Sequence, residues 1–321
     1  MNIVEVFQNH FGTDSVTNND FSLIEYESDI LIGIDRSLHV CVVVKSANLR
    51  RFPIKYKTRK MSIECNMRVK YEIKSEIHED TVHIIRCLSE NQRDRHLFLE
   101  LAVVLIKEGD CSEEAIMETF NTLRTFFYDK KLISDNELIG LYAELYTIYK
   151  FHEALQIEKY WQSQDRMKFD FSFSERIKLE IKATIKSTRT HHFLHEQLMT
   201  EIYDIYVLSY LLRYDDEGLS LFDLLMTCKE LMYEDSRKLL RINYVLKNAE
   251  EDRLRNLRFN CNYTEANRHF YRATDIPKFS QNTPQGVANA EYDCVLDNIK
   301  SIEDDMFIGN VISTLQEVRD V

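Results

Sequence analysis

The residues able to do chemistry concentrate between Lys168 and Thr184, KFDFSFSERIKLEIKAT. In the first half Phe169, Phe171 and Phe173 alternate with Lys168, Asp170 and Ser172. In the second, Ile177, Leu179, Ile181 and Ala183 alternate with Lys178, Glu180, Lys182 and Thr184. Period-two alternation predicts two half-buried strands joined as a hairpin. Both apolar faces must pack on one core, which restricts the register. A two-residue turn would set buried Phe171 opposite exposed Lys178. A three-residue turn at 174–176 pairs Phe173 with Ile177, Phe171 with Leu179 and Asp170 with Glu180. The two carboxylates then oppose each other with Cβ atoms about 4.5–5.5 Å apart, and Lys182 shares their face.

Carboxylates that close repel unless a cation lies between them, and hard oxygen donors suit Mg²⁺ or Mn²⁺. A lysine beside a bound metal orients or activates water and offsets charge on a phosphorane-like transition state. Hydrolytic phosphodiester cleavage uses such a set. The same spacing also suits a solvated hairpin face carrying an ordinary Glu–Lys pair. Two other [DE]-x-K triplets, Glu72–Lys74 and Asp129–Lys131, lack the opposed aspartate. A third acid, Glu144, sits in GLYAEL within one turn of Leu141 and Ile148, where a charge is costly without a partner; taken alone it also reads as a helix-surface glutamate.

The elements that must position these groups follow from patterning. Residues 1–90 read mostly as strands: Ile30–Ile34, Val40–Val44, Met61–Ile73 and Val82–Leu88. In Met61–Ile73 the odd residues are apolar throughout, which predicts one long strand with a single buried face. Helices follow at about Asp94–Lys107 and Glu113–Phe127. Ser134 and Glu137 form a capping box that opens a helix with Leu138, Leu141, Leu145 and Ile148 as its stripe. Beyond the hairpin come a strand near Ile202–Leu211, helices near 220–232 and 235–248, and a strand near Asn289–Leu296. Tyr160 and Trp161 are expected in the core. The expected division is a strand-rich region at 1–130, a core at 131–250 and a mixed extension at 251–321.

The helix GLYAEL, the DF of the first strand, LEIKAT and THHFLHEQL together resemble the PD-(D/E)xK nuclease superfamily. More narrowly the chain is similar to the bacterial PD-(D/E)xK motif proteins of restriction and phage-defence neighbourhoods. The nuclease-core likeness covers about 135–215; the strand-rich N-terminal part and the Ile276-Pro277, Gly286-Val287 and Tyr292 tail also look like that group. The family pattern falls on Glu144, Asp170, Glu180 and Lys182. Phe169 stands where the pattern has proline. The resemblance implies an α+β fold: a restriction-endonuclease-like core of mixed sheet flanked by helices, with the N-terminal domain and C-terminal extension added. It implies an Mg²⁺-dependent DNA endonuclease, Mn²⁺ being a possible substitute, with Asp170, Glu180 and Glu144 as metal ligands. The alternative is a DNA-binding structural subunit of a defence complex with weak or partner-dependent activity; RNA or a structured junction is a further possible substrate.

Lys186 and Arg189, with His191 and His192, suit a phosphate track, and Gln197 matches a family position that could contact backbone or base, a polar helix cap being the alternative. HHxxH at 191, 192 and 195 lacks a second ligand cluster for metal. A basic band at 45–74 holds ten Lys/Arg against Glu64 and Glu72. Arg50, Arg51, Lys55 and Lys57 in it are candidate DNA contacts, a local band being able to hold phosphates although the whole chain carries −12. The bland alternative is a solvated sheet face. A double-strand cut needs two sites, so a homodimer is expected. No G-x-x-x-x-G-K-[ST] occurs, so ATP-driven action would require an ATPase or other subunit.

Composition bounds the rest. With 321 residues, 44% hydrophobic and 29% charged, the chain is expected to be soluble and globular, and a disordered chain is excluded. No apolar run spans a membrane, and MNIVEVFQNH lacks a secretory pattern. Seven scattered cysteines without CxxC argue against a disulfide framework or structural zinc and for a cytoplasmic location.

Overall fold

The computed structural model describes residues 3–11, 20–46, 52–73, 76–128, 132–162, 168–199, 201–279 and 290–319. Arg50, Arg51, Lys74, Asp129, Lys131, Gly286 and Val287 lie outside them. The chain divides into two compact units, 1–130 with 234–236, and 131–233 with 237–321.

The first unit begins with α1 (Ile3–Phe11) and continues through β1 (Phe21–Glu27), β2 (Ile30–Asp35), β3 (Val40–Lys45), β4 (Ile54–Lys57), β5 (Met61–Ile73) and β6 (Glu76–Cys87). Then come α2 (Gln92–Glu108) and α3 (Glu113–Tyr128). The strands make one antiparallel sheet in the order β1-β2-β3-β6-β5-β4. β2 and β3 are almost continuously apolar because they are buried on both faces.

β5 runs over the predicted residues, but it does not keep one buried face. Ile63 pairs with Ile85 and Glu64 with Ile84, whereas the next pair is Met67 with Val82. Two residues of β5, Cys65 and Asn66, therefore stand against the single residue His83, a bulge. The parity of the strand inverts there. Met61 and Ile63 share a face with Cys87 and Ile85, while Met67, Val69, Tyr71 and Ile73 join Val82, Ile84, Leu23 and Leu31 on the other. Asn66 supplies the left-handed backbone, φ 56°, and its amide donates to Glu113 Oε2 at 2.6 Å and to the Phe52 carbonyl at 3.2 Å. Asparagine tolerates that conformation better than other side chains. The basic residues of the band are largely paired where they are described: Lys55 with Glu64 at 2.9 Å, Lys60 with Asp94 at 3.1 Å, Arg68 with Glu79 at 2.6 Å. Lys57 is exposed.

The second unit opens with α4 (Asp135–Leu155), capped by Ser134 and Glu137 as the sequence predicts. Next come β7 (Phe171–Ser172), β8 (Ile177–Thr184), β9 (Thr190–Leu194), β10 (Asp204–Leu211) and β11 (Tyr214–Ser220). After them are α5 (Leu221–Leu231), α6 (Ser236–Asn248), α7 (Glu251–Asn256), β12 (Arg258–Phe259), α8 (Cys261–Ala266), β13 (Arg268–Arg272), β14 (Glu291–Val295) and α9 (Asp304–Arg319). The central sheet is mixed, in the order β13-β10-β8-β7, with β8 and β10 parallel. Residues 251–321, expected as an extension, contribute β13 to this sheet.

Two apolar layers hold the sheet. On one face Leu179, Ile181, Leu208 and Tyr210 pack with Leu141, Leu145 and Ile148 of α4, Leu224 of α5, Ile242 of α6 and Phe307 of α9. On the other, Ile205, Val207 and Tyr271 pack under Phe193 of β9 and Cys294 of β14, which pair antiparallel. Among the described residues no helix is long and apolar enough to cross a membrane.

The bulge is testable. Asn66→Ala loses both hydrogen bonds and forces a Cβ-bearing residue without a polar side chain into the left-handed region, so it should cost about 1–3 kcal/mol in urea denaturation. Asn66→Gly should cost less.

Candidate active site

The hairpin adopts the register that the two apolar faces require. Phe171 pairs with Leu179 and Ser172 with Lys178, and the Phe173 amide donates to the Ile177 carbonyl at 3.1 Å. The Ser174 hydroxyl closes the turn by accepting from the Arg176 and Ile177 amides at 3.2 and 3.0 Å. The ladder ends at Phe171. Asp170 continues it with its side chain: Oδ2 accepts from the Ile181 amide at 2.7 Å. That single bond places the first acid beside the second.

Along β8 the parallel pairing sets Glu180 beside Val207 and Lys182 beside Ser209. Glu180 and Lys182 thus lie on the face that β9 and the 3-10 turn His195–Leu198 cover, opposite the α4 side. Glu180 is 4% exposed. Its Oε1 accepts from Lys182 Nζ at 2.7 Å and from Gln197 Nε2 at 2.7 Å. Its Oε2 is buried and has no hydrogen-bond partner among the described residues. Lys182 Nζ also donates to Gln197 Oε1 at 3.2 Å and lies 4.9 Å from the centre of the Phe193 ring.

The electrostatics follow from this packing. Burial first, then the charges of Glu180 and Glu144, push the Asp170 carboxyl well above its usual range, against the pull of the Ile181 amide and Lys182. Burial also pushes the Glu180 carboxyl up despite Lys182 and Gln197, and Glu144 adds to the rise. Two mutually repelling carboxylates, one with an unpartnered buried oxygen, make a donor set that fits a hard divalent cation. Among the described residues no group of three or more His, Cys, Asp and Glu side chains is placed to hold a metal.

Glu144 is nearby but otherwise engaged. Its Oε2 accepts from Trp161 Nε1 at 2.8 Å and from Arg241 Nη2 at 3.1 Å, and its Oε1 from the same nitrogen at 3.3 Å. Trp161, 2% exposed, is a core residue as the sequence suggests. Arg241 was not legible in the sequence; its signal is only a basic residue on the otherwise amphipathic α6.

The structure separates the remaining sequence candidates. Gln197 is 9% exposed and spends its amide on Glu180, Lys182 and the Leu194 amide, so it orients the site from within and is not set out towards a nucleic acid. Arg189 is 4% exposed, and its guanidinium donates to the Ser209 carbonyl and hydroxyl at 3.1 and 2.9 Å and to the Asn267 carbonyl. These internal bonds remove it from a phosphate track. His191 is buried on the Ser209 hydroxyl at 2.7 Å, and burial, with Lys182 and Arg189, pushes its ring down to about 4. His192 is exposed and pairs with Asp293 at 3.1 Å. His195 meets the Tyr292 hydroxyl at 3.1 Å. Lys186, exposed after β8, and His192 are the described members of the track open to solvent.

A mixed sheet flanked by helices, with an acid and an E-x-K on its β7–β8 hairpin, defines a restriction-endonuclease-like core. Residues 15–297 match the family model described as "Putative PD-(D/E)XK family member, (DUF4420)". The chain belongs to that family. No curated protein and no solved structure matches it.

Charge repulsion at Asp170 predicts a pH effect on stability. A carboxyl raised on folding stabilises below its ordinary range, and that stability is lost as pH rises through the raised value. Metal-free Asp170→Asn should therefore melt above the wild type, by more at pH 8 than at pH 5. Each kcal/mol relieved corresponds to roughly 2–4 °C. A lower melting temperature for the variant at pH 8 would contradict the repulsion.

Proposed function

We propose that this protein is a metal-dependent endonuclease that hydrolyses DNA phosphodiester bonds, of the restriction or phage-defence kind. The observation that supports it best is the buried pair Asp170 and Glu180 with Lys182 bonded to the same carboxylate. Family membership supports the reaction class.

Asp170 and Glu180 would hold the divalent cation, Mg²⁺ with Mn²⁺ as a substitute. When bound, the cation supplies Lewis acidity at a phosphoryl oxygen and lowers the pKa of water. The rest is the work of the chain. The Ile181 amide fixes the Asp170 carboxylate, and Gln197 fixes Glu180 while accepting from Lys182. Lys182 then presents an ammonium, backed on one side by the Phe193 ring, that holds water and offsets charge developing on the phosphorane-like transition state. Each set cuts one strand, so double-strand cleavage takes two copies, a C2 homodimer being the simplest source.

The basic band bears on a second reading. Its pairs Lys55–Glu64 and Arg68–Glu79 lower the positive charge left for phosphates, so a chain acting as a DNA-binding subunit would need a partner, an ATPase among the candidates, to hold DNA and complete the activity. Purified protein with supercoiled plasmid and Mg²⁺ or Mn²⁺ separates the two. Nicked or linear product, lowered about 10²–10³-fold by Lys182→Ala, supports the nuclease. Intact plasmid with retained DNA binding supports the subunit, and cleavage of RNA or junctions alone would revise the substrate. Replacing Arg50, Arg51, Lys55 and Lys57 together should weaken DNA binding and flatten its salt slope. Unchanged affinity would return the band to a solvated sheet face.

A further inference from the structure

Glu144 presents a puzzle of placement. It lies on α4 between Ala143 and Leu145, both fully buried, and is itself 9% exposed. A carboxylate there requires partners, and it has three short donations: one from Trp161 Nε1 at 2.8 Å and two from Arg241 Nη2 at 3.1 and 3.3 Å. Arg241 is itself fixed. Its Nη1 donates to the Gln162 carbonyl at 3.3 Å, and its guanidinium lies 5.0 Å from the centre of the Trp161 ring.

The segment that holds Glu144 is paired to the first acid's strand: Trp161, which bonds Glu144, bridges Phe171, and the Gln162 amide donates to the Asp170 carbonyl at 2.8 Å. The charge of Glu144 thus reaches both Asp170 and Glu180. Even so, the three acids do not converge on a common metal position, and Lys182 donates to Glu180 and Gln197. The carboxylate is near enough to be felt and held too firmly to join. Its holder comes from α6, 97 residues further along the chain.

We propose that Arg241, braced on Trp161 and the Gln162 carbonyl, is a positioning residue that holds Glu144 out of the divalent-cation site. Asp170 and Glu180 are then the carboxylate ligands, and the remaining coordination positions stay open for water and a phosphate oxygen. This rests on the metal-dependent reading above. An arginine suits the task because its planar fork can bond a carboxylate and stack on an indole at once, which a lysine cannot do. Released from Arg241, Glu144 would become a third carboxylate for the cation; affinity would rise and open positions would be lost.

Mn²⁺ titration of the full chain by calorimetry tests this without substrate. Arg241→Met should bind Mn²⁺ more tightly, on the order of tenfold, since affinity rises with the number of charged ligands. Adding Glu144→Gln to that variant should return affinity to the wild-type value, and Glu144→Gln alone should leave it close to wild type. Ordinary structural damage would weaken binding, so tightening is the informative sign. In the metal-free protein Arg241→Met should melt below the wild type, and the double variant should recover part of the loss. Unchanged or weaker Mn²⁺ binding in Arg241→Met, with Asp170→Asn still abolishing it, overturns the latch and spares the metal site. Glu144→Gln alone weakening Mn²⁺ as much as Asp170→Asn also overturns it, by making Glu144 a ligand. Loss of any difference between wild type and Asp170→Asn removes the metal reading and the latch with it.

Discussion

The burial of two like charges on one strand hairpin is the constraint on which the rest of the second unit turns. The charges of Glu180 and Glu144 raise the pKa of Asp170, and that of Glu144 raises Glu180, in a place where burial already penalises ionisation. Natural folds avoid such an arrangement unless something offsets it. Here the offsets are visible one by one. The Ile181 amide serves Asp170, while Lys182 and Gln197 serve one oxygen of Glu180, and the other oxygen has no partner among the described residues. The incompleteness of that last account is the strongest sign of function in the molecule, because a structural ion pair has no reason to strand a buried carboxylate oxygen.

The surrounding sheet exists to keep this arrangement rigid. Leu179 and Ile181 anchor β8 on the α4 side, and its neighbour β10, to which it is paired along its length, is anchored on the other by Val207 under Phe193. A strand so fixed cannot rotate its polar residues away from one another. The cover strand β9 performs two tasks. It places Phe193 behind the Lys182 ammonium, and it leads into the turn that delivers Gln197.

Much of this was legible in the sequence where interactions are local. The hairpin register followed from two apolar faces within a segment of seventeen residues, and the α4 cap and stripe followed from Ser134, Glu137 and the leucines. The bulge in β5 escaped because its apolar alternation continues unbroken while the strand changes which face it presents; Asn66 was the available clue. The phosphate-track reading of Arg189 failed for a different reason, whereas Gln197 takes the capping role that was its alternative. The environment of Arg189 depends on the β9–β14 pairing, whose residues are about a hundred positions apart, as in the bond from the Arg189 amide to Asp297 at 3.1 Å. Nothing near Arg189 signals that it will be roofed over. The Glu144–Arg241 pair is likewise a meeting of distant helices that no local pattern encodes.

The central claim is that Asp170 and Glu180 together form one divalent-cation site. Crystals soaked in Mn²⁺ and measured at the manganese absorption edge test it most directly. The account predicts one anomalous peak within about 2.0–2.3 Å of an oxygen from each carboxylate, with Glu144 still bonded to Arg241. A peak elsewhere, or one bound by Glu144 in place of Asp170, would contradict it, as would no peak at a Mn²⁺ concentration that supports cleavage in solution.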